Sequence, residues 1–140
     1  MKKFNQAILL LTILIIGVSN SFAADNDVEN KINQYLSAVN QKETKTLDTF
    51  INDEANFTML NKIVNKNELL NEKDYLKFIE DGKSAWITSS KVKDVNVQGD
   101  LAVAYIESEG KTLVRKEYVT LVNSNGNWEI INSVSALSKK

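Results

Sequence analysis

The stretch TLVRKEYVTLVNSNGNWEIINSVS, residues Thr112 to Ser135, holds the strongest folding signal in the chain. Two β-rich runs flank Asn125-Gly126, a pair favoured in type I′ hairpins because both central residues take positive φ. With those two as the loop, Ser124 faces Asn127, and pairing is expected to continue through Asn123–Trp128, Leu121–Ile130, Val119–Asn132 and Glu117–Val134. Leu113, Arg115, Glu117, Val119 and Leu121 then share a face with Trp128, Ile130, Asn132 and Val134. The other face carries Val114, Lys116, Tyr118, Thr120 and Val122 beside Glu129, Ile131 and Ser133. The first face groups its aliphatic residues with Trp128 and has fewer hydroxyls, so it is expected to be the concave, core-facing one.

Working outward, the same rhythm of β-rich runs and turn residues extends towards the N-terminus. The runs Trp86 to Val97, Leu101 to Ser108, Thr112 to Asn123 and Trp128 to Ser135 are separated by Gln98-Gly99-Asp100, Glu109-Gly110-Lys111 and Asn125-Gly126. They predict a four-stranded antiparallel meander. Before it the period changes. Val28, Ile32, Tyr35, Leu36 and Val39 recur at three- and four-residue intervals, which predicts a first helix with one apolar stripe. Asn26, three residues before Glu29, offers a capping-box start, with Asp25 and Asp27 as alternative caps. A second, shorter helix is expected from a Thr44 cap, with Leu47, Phe50 and Ile51 as its apolar side and Asn52-Asp53-Glu54 as its end. Ala55 to Asn65 suggests a short strand or a pair joined near Asn61, and Glu72 to Asp81 a third helix closed by Gly82. Helices followed by a meander indicate an α+β domain, with the helices on one face of a curved sheet.

Composition narrows the chemistry. The 140 residues include 17 Lys+Arg and 18 Asp+Glu, with no histidine, cysteine or proline. Disulfides, thiolate catalysis, Cys/His zinc sites and any triad with an imidazole base are excluded. Without a basic stripe, nucleic acid is not expected as a partner. Lys66, Lys73, Lys83 and Lys91 read as dispersed surface charge, and Asp53 and Glu54 as solvated turn residues. At the N-terminus, Lys2 and Lys3 precede the uncharged run Ala7 to Val18, shorter than the roughly 20 residues that cross a bilayer. The segment reads as a signal peptide over residues 1–23, cleaved after Ala23 with Ser21 and Ala23 as the small residues, and predicts a secreted or periplasmic single domain over 24–140, without a membrane anchor.

Three stretches carry a family resemblance. They are Tyr35 to Asn40 with Leu47 to Ile51 and Ala55-Asn56-Phe57, then Val95 to Val103, then Gly126 to Asn132. The order of elements resembles the nuclear transport factor 2-like superfamily, in its branch of small secreted SnoaL-like and lumazine-binding-like domains. The resemblance implies a cone, also described as cystatin-like: a curved antiparallel sheet packed on three N-terminal helices, with a cavity at the open end. It implies pairing through the outer sheet face as well, where Val114, Tyr118, Thr120, Val122 and Ile131 would form a partly apolar patch. Enzymes of this superfamily work with Asp, His, Tyr or Arg in the cavity; other members bind or dimerise only.

The site candidates follow from the register. Arg115 and Glu117 project to one side of a strand, with Asn132 nearby, and read either as a functional pair or as a same-strand ion pair. Tyr105 and Glu107 form a second pair, whose side depends on the length of the Glu109-Gly110-Lys111 turn. Tyr35 lies on the helix stripe as a pocket hydroxyl or a core tyrosine, and Trp86 and Trp128 read as packing residues. No metal or cofactor is called for. The favoured reading is a non-catalytic module that binds a small apolar or amphipathic molecule, or a protein partner. The alternative is a cofactor-independent lyase, isomerase or cyclase with Glu117 as base and Arg115 as electrostatic stabiliser.

Overall fold

A computed structural model describes residues 23–140, and the expected signal peptide, all but its last residue Ala23, lies outside the described residues. Helix α1 covers residues 23–41 and buries Val28, Ile32, Tyr35, Leu36, Ala38 and Val39 on one stripe. It starts earlier than the Asn26 capping box would have it, because Ala23 and Ala24 are strong helix formers that extend it. Helix α2, Thr44–Asp48, buries Leu47. Its N-cap is Glu43, not Thr44, and makes no side-chain cap hydrogen bond.

Ile51 opens a strand instead of closing that helix. Strand β1, Ile51–Asn61, takes in Asn52, Asp53 and Glu54 and buries Ile51, Ala55 and Phe57. The Lys62 to Asn65 segment is a turn, and the expected second strand lies one turn later as β2, Lys66–Asn71. Asn71 caps helix α3, Glu72–Glu80, by accepting the Asp74 N–H at 2.9 Å. At its other end Gly82 (φ 72) donates its N–H to Ile79 O at 2.9 Å and Lys83 donates to Phe78 O at 3.3 Å, the double closure that a left-handed glycine allows.

The meander is β3 (Ser89–Gln98), β4 (Leu101–Glu109), β5 (Leu113–Ser124) and β6 (Asn127–Lys139). The sheet order is β2-β1-β6-β5-β4-β3. All three meander hairpins are antiparallel, while β1 runs parallel to β6, an arrangement the all-antiparallel expectation lacked. Asn125 (φ 54) and Gly126 (φ 85) form the expected turn, and pairing holds from Ser124–Asn127 to Leu121–Ile130.

There the register slips. Thr120 pairs with Asn132 and Glu117 with Ser135, so β6 gains one residue at Ile131 as a β-bulge. Because side chains alternate with period two, that residue exchanges the faces of β6 beyond it. Asn132 and Val134, expected inside, turn to the outer face, and Ser133, Ser135 and Leu137 line up with Val119, Glu117 and Arg115 on the inner one. The core joins the α1 stripe to Ala104 and Ile106 of β4, Val119 and Leu121 of β5, and Trp128 and Ile130 of β6. Among the described residues no helix is long and apolar enough to cross a membrane.

Candidate functional site

The inner face of β5 changes character along its length. Val119 and Leu121 sit in the apolar core, whereas Arg115 and Glu117, at 5% and 2% exposure, carry charge into the interior. Each has one small and one large neighbour across the ladders: Ser108 of β4 and Leu137 of β6 flank Arg115, and Ile106 of β4 and Ser135 of β6 flank Glu117. Ser133 donates its hydroxyl to Glu117 Oε1 at 2.6 Å, and Arg115 Nη2 stands 3.4 Å from Glu117 Oε2. That distance serves Coulomb attraction but makes a poor hydrogen bond. Arg115 Nε and Nη2 and Glu117 Oε2 have no hydrogen-bond partner among the described residues.

Two phenols complete the cluster. Tyr35 of α1 and Tyr75 of α3 share a short hydroxyl–hydroxyl hydrogen bond of 2.5 Å, both buried. Burial pushes the Tyr35 hydroxyl well above the ordinary phenol range, and the fields of Tyr75 and Glu117 push it further, against Arg115. Tyr75 is raised chiefly by burial and then by Glu117, while Arg115 and the bond to Tyr35 pull the other way. For Arg115, burial opposes the charge, but Glu117 and the two phenols outweigh it and hold the guanidinium above its usual value. The Tyr75 ring stacks on Phe57 (centroids 3.8 Å apart, planes 2° from parallel) and neighbours Phe78 at 6.3 Å.

Beyond this cluster lies a cavity of about 350 Å³ at the open end of the sheet. Met59, Leu60 and Asn61 of β1, Lys66 and Glu68 of β2, Phe78 of α3, Lys83 and Trp86 of the following loop, Leu113 and Arg115 of β5, and Ser135 and Leu137 of β6 line it. Lys66 is paired with Glu68 at 2.7 Å. Trp86 is held in the wall by Gly110, whose missing side chain lets the Trp86 carbonyl approach closer than any Cβ would permit. Among the described residues no group of three or more acidic, His or Cys side chains could hold a metal ion.

Of the sequence candidates, the structure brings Arg115, Glu117 and Tyr35 into one interior cluster, with Arg115 on the cavity wall. Tyr105 and Glu107 lie on the outer face, because the turn places Ser108 and Ile106 opposite Arg115 and Glu117. Tyr105 instead donates to Glu107 Oε2 at 3.2 Å and stacks on Tyr118 at 5.0 Å. Asn132 is outside by virtue of the Ile131 bulge. Tyr75, Ser133 and Ser135 join the cluster without a sequence signal of their own, and Trp86, Lys66 and Lys83 reach the cavity wall although their pattern predicts packing or surface positions. The adjacent pair Ile130-Ile131, which breaks the alternation, is the one signal that could have exposed the bulge.

A protein-family profile described as "Putative lumazine-binding" matches residues 23–135. The chain belongs to that family. It lies within the nuclear transport factor 2-like superfamily. No curated protein matches the sequence. Among solved structures, an NTF2-like protein of unknown function from Silicibacter pomeroyi DSS-3 superposes with a TM-score of 0.71 at 16% identity, covering 86% of this chain and 98% of that one. Another of unknown function from Methylobacillus flagellatus KT gives 0.67 at 18% identity, covering 81% and 93%. A DUF4783 family protein from Bacteroides ovatus gives 0.60 at 6% identity, covering 76% and 94%. At these identities the likeness establishes the fold alone: a lumazine-binding-like domain with helices at its N-terminus and a curved six-stranded sheet.

Proposed function

We propose that this lumazine-binding-like domain is a non-catalytic binding module that holds a small amphipathic molecule in the cavity at the open end of the cone. One observation carries the reading: about 350 Å³ of space has apolar walls from Met59, Leu60, Phe78, Trp86, Leu113 and Leu137 and a single buried, under-partnered guanidinium, Arg115, in its lining. Small-molecule pockets combine apolar walls with a few placed polar groups in this way. The family description names lumazine, a fused two-ring molecule, and a compact fused-ring ligand suits the volume. The alternative of carboxylate acid–base catalysis has less support, because Glu117 does not line the cavity and is engaged by Ser133 on one oxygen and faces Arg115 with the other.

The same reading makes the protein secreted or periplasmic, released by cleavage after Ala23, and dimeric through its outer sheet face. The leader pattern of Lys2-Lys3 and Ala7 to Val18 supports export. Tyr118, 57% exposed and stacked on Tyr105, together with exposed Leu101, Val103 and Val134, gives the outer face an apolar patch suited to pairing. Native mass spectrometry of protein recovered from the cell envelope or medium of its own host tests all three points. The expected species begins at Ala24, is a dimer and carries a co-purifying molecule of low mass. An uncleaved, monomeric, unliganded chain that turns over a cyclic substrate would overturn the reading.

A further inference from the structure

Resting on the binding reading, we infer that the cavity selects an aromatic carboxylate, seated with its carboxylate towards Arg115 and its rings against Phe78 and Trp86. The lining holds Lys66, Lys83 and Arg115 against Glu68, and even when Glu117 behind Arg115 is counted the wall keeps one cation in excess. The chain as a whole is acidic, with a formal charge of -1, so this local excess runs against its surroundings.

Hydrogen-bond accounting points the same way. A buried guanidinium is normally saturated, since an unmet donor there forfeits the water it gave up. Arg115 is 5% exposed, yet its Nε and Nη2 donors have no partner among the described residues. Those two nitrogens form the edge of the guanidinium that matches the two oxygens of a carboxylate. Glu117, two residues away on the same strand, reaches Nη2 only at 3.4 Å, while its other oxygen is drawn off by Ser133. The counter-charge therefore holds Arg115 in place without using up its edge. A small shift of the side chain towards the cavity it already lines presents that edge to a ligand.

The remaining walls define the rest of the molecule. Phe78 and Trp86 offer ring faces, and Met59, Leu60, Leu113 and Leu137 offer aliphatic surface. At roughly 30 Å³ per water-sized group, the space holds about a dozen such groups. A doubly charged phosphate would outrun the single cation in excess, so the head group is a singly charged carboxylate.

The test is titration calorimetry of the full chain with three probes of one shape: 2-naphthoate, 2-naphthamide and 2-naphthyl phosphate. The expected order is naphthoate above naphthamide by about 10- to 100-fold, the gap that a hydrogen bond to a charged group supports. Because Arg115→Gln alone leaves the Glu117 carboxylate buried and unpaired, the variant is Arg115→Gln with Glu117→Gln. It should abolish that preference, bringing naphthoate and naphthamide to the same affinity. The rim variant Lys83→Gln, on an accessible side chain, should weaken naphthoate a few-fold at low salt and not in high salt. Equal binding of naphthoate and naphthamide, or a preference for the phosphate, overturns the carboxylate assignment and leaves the binding module standing. Failure of all three probes to bind at millimolar concentration overturns both.

Discussion

The two ends of the β5–β6 inner face are built on opposite principles. At one end Val119 and Leu121 of β5, with Trp128 and Ile130 of β6, are apolar and belong to the core closed by the α1 stripe. Beyond the bulge at Ile131, Arg115 and Glu117 of β5 and Ser133 and Ser135 of β6 bring charge and hydroxyls inward, and with the apolar Leu113 and Leu137 they lead into open space. One strand thus serves as core at one end and as site at the other. The closed end stabilises the fold by burial, and the open end leaves polar atoms without partners inside it. A region optimised only for stability would not do this, and on the binding proposal a ligand supplies at the open end the partners that the protein omits.

The sharpest way to break the contrast is to remove one charge from the open end. Glu117→Ala leaves Arg115 buried without its counter-charge and should cost about 3–5 kcal/mol in denaturant unfolding. Replacing Arg115 and Glu117 together with leucine should return most of that loss. An equal loss in the single and double variants would mean that the two residues are not coupled. At the closed end, Leu121→Ala should cost about 2–5 kcal/mol by opening a cavity in the core, with ligand affinity unchanged. A large change in affinity would erase the division of labour between the two ends.

Finer changes sharpen it. Ser133→Ala removes the hydroxyl that holds Glu117 Oε1 at 2.6 Å and should cost about 1.5–3 kcal/mol, since the bond is to a charged group. The phenols supply a pH signature. Both Tyr35 and Tyr75 are raised in the folded state, chiefly by burial, so the folded protein holds two protons that the unfolded chain gives up near its ordinary phenol pKa of about 10. The stability they contribute is therefore complete below about pH 10 and is lost as pH rises towards the folded values. In an alkaline titration followed by phenolate absorbance and circular dichroism, these two should ionise only together with unfolding. Tyr75→Phe should make the alkaline loss of stability shallower, and ionisation of both phenols in a still-folded protein would contradict their burial.

Much of the closed end is legible in the sequence. The α1 stripe from Val28 to Val39, the Gly82 closure of α3 and the Asn125-Gly126 turn are local signals, each readable within a few residues. Arg115 and Glu117 could be placed inside because they lie on β5, upstream of the turn that sets the register and on the strand without the insertion. The open end depends on longer-range facts. A single extra residue at Ile131 moved Asn132 out and brought Ser133 and Ser135 in, and the Gly110 turn alone decided that Tyr105 and Glu107 face outward. Trp86, Lys66 and Lys83 reach the cavity from a loop and a hairpin whose positions follow from packing, on which local periodicity is silent. For β2, the sequence KNELLN is polar and half-exposed, with little strand propensity to announce it.

Arg115 is the only arginine in the chain, so the protein has one arginine Nε–H resonance in a proton–nitrogen correlation spectrum. Recording that resonance during titration with 2-naphthoate and with 2-naphthamide tests the central claim at its own atom. The signal should exchange slowly, shift strongly with the carboxylate and shift little with the amide. A signal that stays fixed while naphthoate binds would contradict it.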